Sequence, residues 1–404
     1  MEKSLKINSK ILFIFLLIFS LWQFLGCKKQ PILSNSTTFL KTYQTELASL
    51  SVFLEQLPDG SFIFISSDGS MPLMIKTDKY GNLIWKKTIQ KNCFPNTSMS
   101  NVYTWNALMA KDAGHFLCQA NGIFTIIDTL GNSYGANLNS SYQTQFGTTV
   151  FKDSKIIVSS CDGEFSGASS VNKIYVFDDN LVLQKKDSFL DTRIGGKTLF
   201  FFINGISPSG SYIIAGQKFP NIPFTFSDNS KTFAAIIPHT GKVTETIIDV
   251  NDKKHSDVIA WQTSTNDSGL ILLNQRTDKS TGATYPAIER LDKKLDTVWE
   301  KEFPINFGTI TLWNMTACRD GGFIIVGNVG NSGYSNTEPY MLKIDKDGNK
   351  IWDRTITSAG SSILYYGTDL IDGGYAFVGT SNYFGSGLNG NGVLFIKTDA
   401  NGNY

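Results

Sequence analysis

The sequence predicts an all-β fold, a seven-bladed β-propeller of four-stranded antiparallel blades. Three observations predict it: a four-strand unit recurs along the chain, each unit carries tight-turn motifs, and its second strand is apolar on both faces. The units recur about every 53 residues, a spacing found in propellers, whereas solenoid repeats are usually shorter. The repeat therefore predicts one large domain after an amino-terminal leader.

The clearest unit spans residues 317–356. Its first turn, Asp-Gly-Gly at 320–322, leads into the apolar run at 323–327. Its second turn, Asp-Gly-Asn at 347–349, leads into a strand that contains Trp352. Asp-Gly and Gly-Asn pairs supply positive φ at little cost, so each turn predicts a β-hairpin. One unit is therefore a four-stranded meander.

The other six units repeat this pattern with different degrees of clarity. Their apolar second strands are expected at 62–65, 115–118, 155–158, 212–216, 270–273 and 375–379. Because both alternating faces of such a strand are apolar, both faces must be covered, as they are when blades stack against one another. The last strand of a unit turns polar toward its end, which suits an outer edge.

Closure of the ring is expected from the amino-terminal end of the domain. The seventh unit reaches Tyr404 without a fourth strand. The segment Thr38–Gln44 contains the apolar-apolar-Lys-Thr-aromatic run FLKTY, which is similar to IWKKTI at 84–89, the last strand of the first unit. We predict that this segment completes the seventh blade, which removes the free sheet edges of an open array. The alternative is a disordered leader beside a truncated blade.

The amino terminus has the composition of an export signal. Three lysines precede the apolar run 11–24, which at about 14 residues is too short to span a bilayer comfortably. It ends in Phe-Leu-Gly-Cys at 24–27, which resembles the bacterial lipobox, although Phe24 departs from the usual Leu. The resemblance implies diacylglycerol on Cys27, and the alternative is an ordinary signal peptide with an incidental cysteine. The expected organisation is a lipoprotein signal peptide at 1–26, a flexible tether at 27–37 and a propeller at 38–404.

Location and partners follow from this leader and from the charge. Two or three acyl chains on Cys27 would hold the protein stably at the membrane of the cell envelope, where the periplasmic and the surface side both remain open. The expected location is the outer membrane. A formal net charge of +1 with 18% charged residues leaves no broad basic surface, which excludes nucleic acid as the expected partner. An envelope protein or a glycan is the partner that we expect.

Candidate binding residues lie in the long connections. The second connection of each unit and the connection between units emerge on one side of a meander, and variable loops on a rigid scaffold usually carry binding. Such loops are expected at 217–230, 274–286, 328–339 and 380–392. Their aromatic residues could stack on a sugar or anchor a peptide, or could simply contact their neighbours. The ligand-binding candidates are Phe224, Phe226, Tyr285, Tyr334, Tyr383 and Phe384.

Signals for catalysis and metal binding are few. His115, His239 and His255 have no metal-ligand spacing, and no GxSxG, HExxH or P-loop motif occurs. The segment 345–349 has some features of a calcium loop but lacks a distal Glu. We therefore name no catalytic residue, no metal and no cofactor.

The repeat resembles those of exported bacterial β-propellers, including the PQQ-like repeat proteins, in which an Asp-Gly-x-x-x-Trp segment closes a blade. Trp85, Trp299 and Trp352 match the tryptophan of that segment, and the resemblance implies that they pack between blades. No residues match a quinone pocket. The expected function is a binding or assembly module that uses the long loops. The alternatives are a glycan-binding protein, or a propeller hydrolase or lyase whose carboxylates line the channel mouth.

Overall fold

The computed structural model describes a chain of short β-strands. Residues Thr37–Tyr404 form one compact unit. Within the described residues, no helix is long and apolar enough to span a bilayer. The structure describes residues 37–45, 53–68, 71–89, 106–109, 115–120, 123–137, 149–152, 155–162, 171–178, 182–189, 197–206, 211–219, 231–237, 244–248, 255–265, 269–305, 309–330, 337–357, 361–382 and 392–404.

Twenty-eight strands within these residues form seven four-stranded antiparallel sheets. The first strand is β1 (Phe39–Gln44). Blades 1 to 3 comprise β2 (Phe53–Gln56), β3 (Phe62–Asp68), β4 (Met71–Thr77), β5 (Leu83–Thr88); β6 (Asn106–Met109), β7 (His115–Ala120), β8 (Ile123–Asp128), β9 (Ser133–Asn137); and β10 (Thr149–Lys152), β11 (Lys155–Asp162), β12 (Val171–Asp178), β13 (Leu183–Phe189).

Blades 4 to 7 follow the same order from the centre outward. They comprise β14 (Lys197–Ile206), β15 (Tyr212–Phe219), β16 (Lys231–Ile237), β17 (Thr244–Ile248); β18 (His255–Ser264), β19 (Leu270–Asp278), β20 (Thr284–Leu291), β21 (Thr297–Glu302); β22 (Thr309–Ala317), β23 (Phe323–Gly330), β24 (Glu338–Ile344), β25 (Lys350–Thr355); and β26 (Ser362–Asp369), β27 (Tyr375–Ser381), β28 (Gly392–Thr398) with β1.

The arrangement confirms the predicted seven-bladed β-propeller. The first strands of successive blades contact one another, for example β18 with β22, β22 with β26 and β26 with β2, so they surround a central channel. The second and third strands hold the cores between blades. Ile271 and Leu273 of blade 5, for instance, contact a cluster that includes Leu312 and Leu342 of blade 6. In blades 1, 4, 5, 6 and 7 the predicted apolar second strands are buried, because each one lies between two neighbouring blades.

Strand β1 closes the ring, as predicted. It pairs antiparallel with β28, in a register that runs from Phe39 opposite Lys397 to Gln44 opposite Gly392. Thr38 precedes the strand instead of beginning it. The seventh blade therefore combines three strands from one end of the domain with one from the other, which leaves the ring without an open edge.

The two ends of the blades differ. In blade 7 the turns at 370–374 and 399–403 lie at the same end, since Tyr375 pairs with Thr398. We call this end the short-turn face and the opposite end the long-loop face. Strand β1 starts at the short-turn face. The prediction of a long loop at 274–286 is wrong, because β19 and β20 extend into this segment and are joined by a short turn at 279–283.

A repeated contact joins the outer edges of neighbouring blades. Trp352, on the outermost strand of blade 6, lies against Gly402 in the outer turn of blade 7, so closely that a β-carbon on Gly402 would be 3.0 Å from the ring. The indole Nε1 donates to Ala400 O at 3.0 Å, and Arg354 donates to Asn401 O at 2.8 Å. Gly402 also has a φ of 75°. Only glycine combines that φ with so close an approach.

We call this contact an aromatic clasp: an aromatic ring on the outermost strand of one blade against a positive-φ glycine in the outer turn of the next. Three further clasps occur in the described residues. Their ring and glycine pairs are Phe39 with Gly81, Trp85 with Gly131, and Trp299 with Gly348. The predicted packing role of the three tryptophans is confirmed. Phe39 has the same role in the strand that closes the ring.

Candidate functional site

The sequence-predicted residues fall mostly outside the described part of the chain. This holds for Cys27 and for five of the six binding candidates, which are Phe224, Phe226, Tyr334, Tyr383 and Phe384. Tyr285 lies within it, on β20 beside the turn that replaces the expected loop. Its side chain is only 8% exposed. This burial argues against Tyr285 as an open platform for a sugar ring, and the other five residues stay predictions.

Tyr285 borders a polar cluster at the long-loop face of blade 5. It lies opposite Arg276 on β19, and Arg276 lies opposite Asp257 on the innermost strand β18. Glu300 and Glu302 follow on the outermost strand β21. We call Asp257, Arg276, Glu300 and Glu302 the Arg276 cluster.

One guanidinium connects the inner and outer strands of the blade. Arg276 Nε donates to Asp257 Oδ1 at 2.9 Å and Nη2 donates to Asp257 Oδ2 at 2.7 Å, which is a bidentate pair. Nη2 also donates to Glu300 Oε1 at 2.6 Å, and Nη1 donates to Glu302 Oε1. Arg276 and Asp257 are 3% and 1% exposed, whereas Glu300 and Glu302 are 38% and 40% exposed. A buried pair thus holds two accessible carboxylates in fixed positions.

The charges of the Arg276 cluster do not balance. Three carboxylates surround one guanidinium. Burial raises the pKa of Asp257, and the hydrogen bonds and charge of Arg276 oppose that rise without cancelling it. Burial lowers the pKa of Arg276, but its hydrogen bonds to Asp257, Glu302 and Glu300 and the charge of Asp257 together outweigh burial, so the pKa lies above its usual value. The guanidinium stays charged, and the cluster carries surplus negative charge at the surface.

The cluster lies on the side of blade 5 that faces blade 4. Leu270 and Leu272 on the same strand contact Ile213 and Ala215 of blade 4, and residues two apart on a strand share a face, which includes Arg276. Among the described residues of blades 4 and 5, three buried acceptor oxygens have no hydrogen-bond partner. They are Asn274 Oδ1, Glu289 Oε2 and Thr232 Oγ1. Burial also raises the pKa of Glu289. Unsatisfied buried acceptors favour a ligand or water that donates hydrogen bonds.

A second group of ionisable residues lies where the channel meets the short-turn face. Glu55, near the end of β2, is half-buried. Tyr366 of β26 lies beside the same strand, with its ring centroid 5.6 Å from that of Phe53. Arg319 donates from its backbone N to Asp369 Oδ2 at 3.2 Å. Burial raises the pKa of Glu55 to about 7, with Arg319 opposing the shift and Asp369 adding to it. Glu55 therefore exchanges protons near neutral pH.

In the turn that has features of a calcium loop, 345–349, the carboxylate of Asp345 accepts hydrogen bonds from within the turn. Asp345 Oδ1 accepts from the backbone N of Asp347 at 2.9 Å and of Asn349 at 2.8 Å, and Oδ2 accepts from Asn349 Nδ2 at 3.0 Å. The hydrogen bonds from Asn349 are the main cause of a pKa of Asp345 below its usual value. In the described part of the chain, no group of three His, Cys, Asp or Glu side chains is placed to hold a metal ion.

Sequence reasoning missed the Arg276 cluster for a physical reason. Its members come from three strands, its carboxylates lie 19 to 26 residues from Arg276 in the sequence, and no local motif connects them. The signal for the outer turns was available, however. Four turns read Asp-x-x-Gly-Asn, at 78–82, 128–132, 345–349 and 399–403, and the aspartate that binds the turn stands three residues before the glycine.

The comparisons with known proteins reveal similarity of fold alone. No family model matches the chain, and no curated protein matches it. Among solved structures, polysaccharide lyase Uly1 is 11% identical with a TM-score of 0.48, covering 87% of this chain and 89% of its own. The β-propeller domain of the Trilobed protease from Pyrococcus furiosus is 10% identical with a TM-score of 0.46, covering 90% and 97%. At these values neither similarity bears on activity.

Proposed function

We propose that this protein is a lipid-anchored propeller of the cell envelope that binds a partner through its long-loop face. The observation that carries the proposal is the Arg276 cluster. A buried Asp257–Arg276 pair fixes Glu300 and Glu302 at that face with surplus negative charge. Fixed carboxylates of this kind complement a cationic partner, and charge complementarity of this kind gives specificity and fast association. The partner class is a protein segment rich in Lys or Arg.

The direction of the chain supports the same face. Strand β1 starts at the short-turn face, where Phe39 lies opposite Lys397. A tether from a lipidated Cys27 therefore meets the propeller at the end opposite the loops. This leaves the long-loop face turned away from the attachment point. Export and lipidation are tested by expressing the full chain and Cys27→Ala in a bacterial host with a labelled fatty acid, where label on the native chain alone is expected.

The binding experiment uses three sets of immobilised peptides of equal length, which are Lys/Arg-rich, Asp/Glu-rich and neutral. We expect selective binding to the cationic set and a drop of about tenfold in Glu300→Gln/Glu302→Gln, because each of the two lost charge contacts contributes about 0.7 kcal/mol. Asp353→Asn, at the corresponding position of blade 6, is the matched control. Equal binding to all three sets, or equal loss in the control, would contradict the proposal.

The glycan-binding alternative has its own test. Five of the predicted aromatic candidates lie outside the described residues, so the alternative rests on the sequence. A glycan array with the native chain and with Tyr383→Ala/Phe384→Ala separates the two classes of partner. Specific glycan binding that the double variant loses would favour the alternative, and a blank array would favour a protein partner.

A second candidate function, catalysis by a channel carboxylate, is favoured by Glu55. A carboxyl whose pKa is about 7 can act as a general acid or base near neutral pH. The test is release of reducing or unsaturated sugar ends from a polysaccharide panel. Activity that Glu55→Gln loses would place the reaction in the channel, whereas activity that survives the change would exclude that role.

A further inference from the structure

One sector of the outer rim exposes five large apolar side chains. Among the described residues, Leu40 is 40% exposed, Tyr80 46%, Leu83 48%, Ile84 53% and Leu130 61%. They belong to three neighbouring blades: Leu40 to strand β1 of blade 7, the next three to the outer hairpin of blade 1, and Leu130 to the outer turn of blade 2. Aromatic clasps join these three blades directly, so the side chains lie in one sector. Exposed apolar groups that cluster mark an interaction surface.

Lysines surround these apolar side chains. Lys79, Lys86 and Lys87 are exposed, and Lys41 is half-buried. Lys41 Nζ donates to Asn82 Oδ1 at 2.7 Å and Lys87 Nζ donates to Leu130 O at 2.5 Å, which holds both ammonium groups beside the apolar residues. We call the four lysines and the five apolar residues the rim patch.

The two carboxylates of this sector are hydrogen-bonded within their own turns. Asp78 accepts hydrogen bonds from Asn82 and Tyr80 within its own turn, and Asp128 does the same with Asn132 and Leu130. The segments 39–44, 78–88 and 128–132 together contain four lysines and these two aspartates. The rim patch is therefore net positive.

Other sectors of the rim lack this charge. The corresponding segment of blade 5, 292–302, has three lysines and four carboxylates, and that of blade 6, 345–355, has three basic and three acidic residues. Val298 and Ile351 are exposed there as well, each at 53%. Apolar exposure thus recurs around the rim, but blades 5 and 6 lack the positive surplus of the sector that contains β1.

The patch lies where the chain enters the propeller. Phe39, in strand β1, contacts Gly81 inside the sector, and the residues that precede β1 lead back to Cys27. The eleven residues 27–37 can extend over at most about 35 Å. A lipid on Cys27 would therefore keep this sector within reach of the bilayer surface, a step that depends on the proposed lipid anchor.

We infer that the rim patch contacts an anionic phospholipid surface and orients the propeller on it. Lysines near such a surface are attracted to its negative potential, and exposed Leu, Ile and Tyr side chains partition into the interface between headgroups and acyl chains. The patch offers both, next to the tether. Its contact would hold the attachment sector against the membrane.

The experiment uses the protein of residues 37–404, which forms one compact unit and closes its ring with its own β1. It is sedimented with phosphatidylcholine vesicles, with and without phosphatidylglycerol. Because this protein has no Cys27, the outcome is independent of lipidation. We expect the bound fraction to rise with phosphatidylglycerol, and the partition coefficient to be at least about tenfold higher than on neutral vesicles.

Two variants test the patch, and each has a control at the corresponding position of blade 5. Lys79→Glu is matched by Lys293→Glu, and Ile84→Ser is matched by Val298→Ser. Lys41 and Lys87 are left in place because they contact neighbouring turns. We expect each patch variant to lower binding about fivefold or more and each control to leave it within twofold. Thermal unfolding confirms that all four fold.

Three results would overturn the inference. One is no binding to anionic vesicles. Another is an equal loss of binding in the patch variants and their controls, which would indicate adsorption without a defined surface. The third is self-association of the native protein that the patch variants abolish without vesicles, which would make the patch an interface between copies of the chain. If vesicle binding fails while the full chain still takes up the labelled fatty acid at Cys27, the proposed lipid anchor is supported and the proposed orientation by the rim patch is contradicted.

Discussion

Two halves of the same ring are held together by different means. Aromatic clasps join blade 5 to 6, 6 to 7, 7 to 1 and 1 to 2. We call these four interfaces the clasped arc. The interfaces from blade 2 to 3, 3 to 4 and 4 to 5 form the second arc. Each clasp tryptophan stands seven residues after the aspartate of its own outer turn. The residue at that position is Gly135 in blade 2 and Lys185 in blade 3.

The interface between blades 4 and 5 reveals how the second arc compensates. Thr244 pairs with Ile236 in blade 4, the register position that Trp352 occupies opposite Lys343 in blade 6. The outer turn of blade 5 then has Leu295 where the clasped turns have glycine. Leu295 keeps the same left-handed backbone, with φ of 70°, and is 1% exposed. A large turn residue thus accompanies a small strand residue.

The comparison teaches that a clasp depends on two residues, the strand aromatic and the turn glycine, and not on the aromatic alone. Where the outer strand has tryptophan, the turn of the next blade has glycine, and where the turn has Leu295, the strand residue at that register is a threonine. Leu295 packs against apolar residues of both blades, including Ile213 and Leu272. In the clasp between blades 6 and 7, Trp352 and Arg354 also donate hydrogen bonds to carbonyls of the neighbouring turn, which a leucine cannot do.

The largest effect is expected from Trp352→Ala. It removes a buried ring from the interface between blades 6 and 7 and should lower the free energy of unfolding by about 3–5 kcal/mol. Trp352→Phe keeps most of the ring but loses the bond from Nε1 to Ala400 O, with an expected cost of about 1 kcal/mol. Urea unfolding measures both. Equal losses in the two variants would mean that the ring itself contributes little.

Gly348→Ala should cost about 2–3 kcal/mol, from two causes. The left-handed φ of 80° strains any side chain, and the new β-carbon would lie 2.9 Å from the Trp299 ring. Gly373→Ala is the matched control, since its φ is 84° and its β-carbon would meet nothing within 4 Å. We expect about 1 kcal/mol there. If both cost the same in thermal unfolding, the clasp at Gly348 is not a close contact.

Leu295→Gly tests the second arc. The change relieves backbone strain of about 1 kcal/mol but removes a fully buried side chain worth about 2–3 kcal/mol. We therefore expect a net loss of about 1–2 kcal/mol in chemical unfolding. A gain in stability would show that Leu295 only strains its turn and that its packing between blades 4 and 5 contributes little.

The smallest effect is a dependence of the free energy of unfolding on pH, which we expect from Glu55 in the channel. The pKa of Glu55 is raised from 4.5 to about 7, so the folded state binds a proton that the unfolded state releases between these values. Glu55 therefore lowers stability as pH rises from about 4.5 to 7. Glu55→Gln should remove that slope and add about 1–2 kcal/mol at pH 8, discounted for partial exposure. An unchanged slope in the variant would assign it to other groups.

The sequence was sufficient for the repeat and for the closing strand, because both depend on local patterns. Turn chemistry, alternation and the run around Lys41 are visible without any structure. Leu295 could not be foreseen, since a left-handed leucine breaks the turn pattern and is explained only by a partner on another blade. The Arg276 cluster could not be predicted for the same reason: Arg276 bridges Asp257 and Glu302 only because the four strands of blade 5 lie side by side.

The central claim is that clasps make four successive interfaces more resistant to opening than the other three. Native-state hydrogen exchange of the outermost strands tests it directly. We predict that amides of β13 and β17 exchange faster than those of β21 and β25, and that Trp352→Ala brings β25 toward the faster group. Equal protection in all four strands of the native protein would contradict the claim.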